Sequence, residues 1–225
     1  IREDLLERWF GAAPQVPEVL APHASAGTIT SDWLPNSPGA VVSAGCGDNA
    51  GGGLGLGIGH GDVVVSVGTS GTVFAHSPHP SADPTGVTSG FADATGAYLP
   101  LLCTLNAARV MARTSDLLGT DLDEFDALAA AGAPDCAGLT LLPYLDGERT
   151  PNLPDAAGRW HGVTGASLTR ENMARSSVLS VANSLADCLE VLRTLDVPIE
   201  RALLIGGGSR SATLRTALTH VLGVD

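Results

Sequence analysis

The sequence contains no lysine: its basic side chains are 12 arginines, set against 24 aspartates and glutamates for a formal charge of −12. That absence removes whole mechanisms. A Walker A loop, the strand lysine of a protein kinase and a Schiff-base enzyme all need the missing side chain. Any nucleotide site must therefore rely on backbone amides, arginine or metal. Aromatic residues are also scarce, at 4%. The four cysteines, Cys46, Cys103, Cys136 and Cys188, form no CxxC pair, which argues against a zinc site or a disulfide framework. They are expected to be buried free thiols in a reducing cytoplasm. No run of 18 apolar residues and no signal-peptide pattern occurs, so neither a membrane partner nor secretion is expected. The acidic balance argues against a nucleic-acid or anionic-membrane partner.

What is abundant is glycine, 28 residues, in a chain that is 44% hydrophobic. This composition predicts an α/β protein built closely from small residues. The densest stretch is 41–72, VVSAGCGDNAGGGLGLGIGHGDVVVSVGTSGT. Residues 41–44 predict a short strand, and Asp48 then sits at a strand-to-helix turn as the cap of a glycine-rich helix over 48–59. Residues 63–67 predict a valine strand, and Gly68-Thr69-Ser70-Gly71 a tight hairpin into a second strand, 72–75. Further on, a strand is predicted over 96–104, helices over 105–118 and 121–131, and a buried strand over 139–144. A long helix should run from Thr169 to about Leu195, and a strand over 201–205 should end in Gly206-Gly207-Gly208 before a last helix, 211–222. The chain begins with helical spacing over 1–10 and continues through Pro14, Pro17 and Pro22 to a linker-like stretch, 33–38.

Each motif has a plain structural explanation beside a chemical one. Asp48 could simply cap its helix, Gly68 and Gly71 could serve a turn that needs positive φ, and a triple glycine is a common flexible turn. The chemical readings are stronger when combined. A carboxylate at a helix N-terminus sits in a favourable field, a hairpin tip bearing two hydroxyls can grip phosphates, and three glycines let a ring or ribose approach the backbone. Phosphoryl transfer to an alcohol needs a base and phosphate donors of this kind. Asp146-Gly147-Glu148-Arg149 is expected to brace a loop near the cleft, with Glu148 and Arg149 serving separate partners. His76 and His79 lack partners for a metal site.

The strings GCGDNAGGGLGLG, SVGTSG, LLPYLDGERTP and LLIGGGSRS, in that order, resemble the second half of the FGGY carbohydrate kinase family, and the GDNA and GERTP strings resemble its xylulokinase branch. The resemblance implies a ribonuclease-H-like domain of the actin and hexokinase ATPase type, with a mixed sheet flanked by helices. It further implies ATP and Mg²⁺ as cofactors, D-xylulose as substrate and a cytoplasmic enzyme, possible as a homodimer. Asp48 is then the general base and Asn49 a sugar contact; Gly68, Thr69, Ser70 and Gly71 form the phosphate hairpin; Asn106 contacts the nucleotide; Gly206, Gly207 and Gly208 hold the adenosine. Residues 1–38 are expected to be the tail of a first domain and its linker, and 39–225 a second domain truncated at its end. Without the first domain the fragment should be inactive.

Two other classes fit parts of the pattern. Gly45 to Ala50 matches the GxGxxA turn of a Rossmann dehydrogenase, although no acidic residue ends the next strand. A serine hydrolase at Ser70 fares worse, because GTSGT is not GxSxG. An actin-like nucleotide-binding module without sugar turnover is the non-enzymatic alternative.

Overall fold

Val63, Val64, Val65 and Val67 alternate sides along a strand, so burying all of them requires cover on both faces of the sheet. The computed structural model, which describes residues 1–30, 34 and 36–224, provides it. The chain runs α1 (Glu3–Phe10), β1 (Ser25–Thr28), β2 (Val41–Ser43), α2 (Asp48–Leu56), β3 (Asp62–Val67) and β4 (Gly71–Ala75). It continues through β5 (Ser89–Ala92), β6 (Tyr98–Thr104), α3 (Ala108–Leu118), α4 (Leu122–Ala131), β7 (Thr140–Leu142) and β8 (Arg159–His161). The long α5 (Arg170–Thr194), β9 (Arg201–Ile205), a 3₁₀ turn (Gly207–Arg210) and α6 (Ala212–Leu222) complete it.

A five-stranded mixed sheet, in the order β5-β6-β4-β3-β9, forms the centre. Its pairs are antiparallel except β3 with β9, which is parallel with Val64 opposite Leu203. One face carries Val63, Val65, Val67, Val73 and Leu102 into a core filled by Val178, Val181, Leu185, Leu189 and Leu192 of α5, with α3, α4 and α6 around it. The other face carries Val64, Phe74, Leu99 and Leu101 against Ala50 of α2. This is the mixed α/β arrangement expected from the sequence. Helix α5 starts where Thr169 accepts the Asn172 amide at 3.2 Å. Three of its four buried serines, Ser176, Ser177 and Ser180, return their hydroxyls to carbonyls three residues back, so these small polar groups are satisfied inside the core.

Several elements differ from expectation. β2 pairs antiparallel with β1 in a separate, exposed two-stranded sheet, not in the core. That removes the Rossmann alternative, which needs the strands on either side of the Gly45 turn to share a parallel sheet. The strand expected over 139–144 shrinks to β7, which pairs with β8 outside the central sheet. α3 begins at Ala108, so Asn106 precedes it. Gly47, not Asp48, is the N-cap of α2, and only Gly53 there is pressed close: a Cβ would meet Ile58 at 2.8 Å, whereas Gly52 and Gly55 face open space. Trp33 and Pro35 of the expected linker lie outside the described residues. Among the described residues no helix is long and apolar enough to cross a membrane.

The parallel pair is clasped at its start. Asp62 accepts the Gly59 amide at 2.9 Å, and Arg201 donates to both of its carboxylate oxygens at 2.9 and 3.0 Å. The Arg201 hydrogen bonds, followed by the Gly59 amide, hold the Asp62 carboxyl below its ordinary value against the opposing effect of burial. A carboxyl lowered on folding stabilises the fold above its unfolded pKa, about 3.9, and that contribution vanishes as pH falls through the lower folded value. Urea midpoints between pH 7 and 3 should therefore fall on acidification less steeply in Asp62→Asn than in the unaltered chain. Leu185→Ala, which empties a fully buried site in the core, should lower unfolding free energy by about 2–5 kcal/mol in the same assay at pH 7.

Candidate active site

A hairpin tip can grip an anion only if its amides point outward and stay there. Here the carbonyls are tied down from behind. The amides of Ala107 and Arg109 donate to the Thr69 carbonyl, both at 3.3 Å, and the Ala108 amide donates to the Gly68 carbonyl at 2.9 Å. The first amides of α3, which need acceptors in any helix, thus find them in the tip. Among the described residues the amides of Thr69 and Ser70 have no acceptor, and both residues are exposed. Gly71 is required by packing and not by its φ: a Cβ there would lie 2.6 Å from Thr104 Oγ1 and 2.8 Å from Leu185. The expectation that Gly68 and Gly71 serve positive φ is corrected accordingly, since neither has it.

The triple glycine comes to the same place for a second packing reason. At the end of β9, Gly206 adopts φ 89°, and a Cβ on it would lie 2.6 Å from the Val67 carbonyl. A Cβ on Gly208 would strike the Val67 side chain at 2.5 Å, while Gly207 faces open space. β9 can therefore finish against the end of β3, next to the hairpin. Between them opens a cavity of about 450 Å³ whose walls include Gly68, Thr69, Gly207 and Gly208, with Met111 of α3 and Phe125 of α4.

Other expected site residues lie elsewhere. Ser70 and Gly71 are outside this lining, as is Gly206. Asn106 is fully buried, and its amide donates to the Gly147 carbonyl at 2.8 Å and to Glu148 at 2.9 Å while accepting the Leu145 amide at 3.2 Å. Both N–H donors are used, so its side chain has none left for a nucleotide; its role is to hold the segment that leads into α3. Glu148, 1% exposed, also accepts the amides of Leu105 and Arg149. Arg149 turns away to Ser89 at 3.0 Å, so the two adjacent charges do have separate partners.

Asp48 opens the first turn of α2, exposed, and accepts the Asn49 amide at 2.8 Å. Neither residue lines the cavity, because α2 covers the opposite face of the sheet. The sequence reading missed α4 as a site element. Leu122, Asp123, Phe125 and Asp126 line the cavity, although the acidic, amphipathic pattern of residues 121–131 is that of a surface helix. Its one signal was Phe125 in a chain with so few aromatics.

All four cysteines are free; Cys136 and Cys188 are buried, but Cys46 is exposed. Burial, and after it the Glu148 carboxylate, pushes the Cys188 thiol up to about 12, which leaves it unreactive at neutral pH. Among the described residues no group of three or more His, Cys, Asp or Glu is placed to hold a metal ion. Glu148→Gln, which replaces an acceptor oxygen by a donor among three N–H groups, should cost about 1–3 kcal/mol of stability by chemical denaturation. Because Asn106→Ala cuts the same network, the double variant should cost less than the sum of the two, by about 0.5–3 kcal/mol.

Comparison with known proteins points to one family. The FGGY family of carbohydrate kinases, C-terminal domain, matches residues 63–225. The xylulose kinase of Streptomyces coelicolor is 40% identical over 223 residues, 98% of this chain and 44% of that protein. That of Streptomyces rubiginosus is 41% identical over 210 residues, 92% of this chain and 42% of that protein. The crystal structure of xylulose kinase from Bifidobacterium adolescentis superposes with a TM-score of 0.83 at 46% identity, covering 94% of this chain and 42% of that one. The chain thus spans less than half the length of the relatives it matches. The chain belongs to the FGGY family of carbohydrate kinases, whose C-terminal domain its residues 63–225 match.

Proposed function

We propose that the chain is the second domain, residues 39–225, of a longer ATP-dependent kinase that converts D-xylulose to D-xylulose 5-phosphate, residues 1–38 being the tail of the first domain and the linker. The observation that carries the reading is the single cavity shared by Gly68 and Thr69 of the hairpin with Gly207 and Gly208 of the glycine turn. A nucleoside triphosphate needs one end rich in N–H donors and another that admits a ring, and these two turns supply both. The outward amides of Thr69 and Ser70 and their hydroxyls would hold the β- and γ-phosphates without lysine. Gly207 and Gly208 would face the adenosine.

Asp48 would orient the sugar hydroxyl and accept its proton as the phosphoryl group transfers, with Asn49 hydrogen-bonded to another sugar hydroxyl. Its exposure fits a group that awaits a substrate enclosed by a second domain. Magnesium, when bound with the nucleotide, would neutralise phosphate charge. Among the described residues no group of three His, Cys, Asp or Glu forms a cage for it, so phosphate and water would supply most of its ligands here. The chain alone should therefore show no turnover.

Sugar-dependent ADP release by the full-length protein tests the reading. Asp48→Ala should lower kcat about 10²–10⁴-fold, while the ADP dissociation constant stays within about threefold. Nucleotide binding without sugar-dependent release in the unaltered protein would instead mark an actin-like binding module. A rise in the dissociation constant with kcat intact would reduce Asp48 to a helix-end residue.

A further inference from the structure

The two ends of the cavity differ in their free main-chain donors. At the hairpin end the amides of Thr69 and Ser70 are free among the described residues. At the other end stands the N-terminus of α6, the kind of site where a helix ordinarily receives phosphate. It is already closed. Asp126, reaching across from α4, accepts the Ser211 hydroxyl and the amides of Ala212 and Thr213 at 3.1 and 3.3 Å. The Thr213 hydroxyl returns a bond to the Asp126 carbonyl at 3.1 Å. Ser211 Oγ accepts the Leu214 amide at 3.0 Å, and the Arg215 amide bonds back to the Ser211 carbonyl at 3.1 Å. The first-turn donors of α6 are thus spent on protein oxygens, and a fixed carboxylate occupies the place an anion would take.

The same contacts reach the glycine turn. The Ser211 amide donates to the Gly208 carbonyl at 3.1 Å, and Arg215 donates to the carbonyls of Ser209, at 2.6 Å, and Arg210, at 2.9 Å. Ser211 is held on one side by Gly208 and on the other by Asp126. Gly208, with no room to move toward Val67, keeps its place in the cavity wall as long as Ser211 keeps its own.

We infer that Asp126 is a positioning residue for the nucleotide: it closes the α6 terminus to phosphate and fixes the Gly207-Gly208 wall. A nucleotide then finds free main-chain donors for its phosphates at Thr69 and none at α6, and its ring lies against the glycines, beside Arg210 in the same wall. The inference rests on the kinase reading above and adds to it the residue that sets the direction of binding.

The test uses the full-length protein and measures the ADP dissociation constant by titration calorimetry, alongside KM for ATP, kcat and the D-xylulose dissociation constant. Asp126→Ala should weaken ADP binding about tenfold, raise KM for ATP far more than it lowers kcat, and leave D-xylulose affinity unchanged. Asp126→Asn, which keeps one acceptor oxygen for the α6 amides, should recover most of the ADP affinity. An ADP dissociation constant within twofold of the unaltered protein in Asp126→Ala overturns the inference. So does a parallel loss of sugar and nucleotide affinity, which is the mark of general loosening. If the unaltered protein binds ADP but releases none from ATP with sugar, the kinase reading fails, and the role of Asp126 is still decided by the ADP constants.

Discussion

Everything the site can do follows from the way the start of α3 grips the back of the hairpin. A helix begins with amides that nothing inside it can satisfy. A tight turn carries carbonyls that must point somewhere, and when they are held on one side the amides are presented on the other. Joining Ala107, Ala108 and Arg109 to Gly68 and Thr69 solves both problems at once. The hydrogen bonds are individually modest, about 1 kcal/mol each, but they are not independent. Asn106 and Glu148 fix the segment entering α3 from behind, so the tip is held by a buried polar network and not by loop stiffness. In a domain without lysine, holding main-chain donors still is the available substitute for a mobile ammonium group.

Small side chains make that arrangement compact. Gly71 allows the hairpin to lie on Leu185 of α5, and Gly206 with Gly208 allows β9 to end against Val67. These glycines stand at contacts where one added carbon would collide with backbone or core. Two parts of the chain separated by most of its length are thereby brought to one cavity. The acidic helix α4 closes it with the ring of Phe125 and with a carboxylate already committed to α6.

Much of this could be read from residue patterns because local chemistry decided it. The valine strand, the GTSG turn, the Thr169 cap with the long apolar spacing of α5, and the glycine stop after β9 are short-range signals, and the structure follows them. What could not be read depended on distant partners. Residues 41–43 look like a core strand, yet they pair with residues 25–28 in an exposed sheet because α2 and not β2 covers that face. Asn106 resembles a helix-start residue, and its partners lie some forty positions later, at Gly147 and Glu148. The contribution of α4 to the cavity was hidden because an acidic amphipathic helix has the same pattern whether its rim meets solvent or a ligand pocket.

The parallel pairing of β3 with β9 also imposes an order of events on a growing chain. Residues 62–66 wait for residues 201–205, so the central strand leaves the ribosome with one edge open while α3, α4 and α5 are still being made. An unpaired valine edge is a template for the wrong neighbour. Antiparallel β4 can cover one side at once, but the other stays bare until the Arg201 clasp arrives. That interval is the one in which a chaperone on the open edge has most to protect.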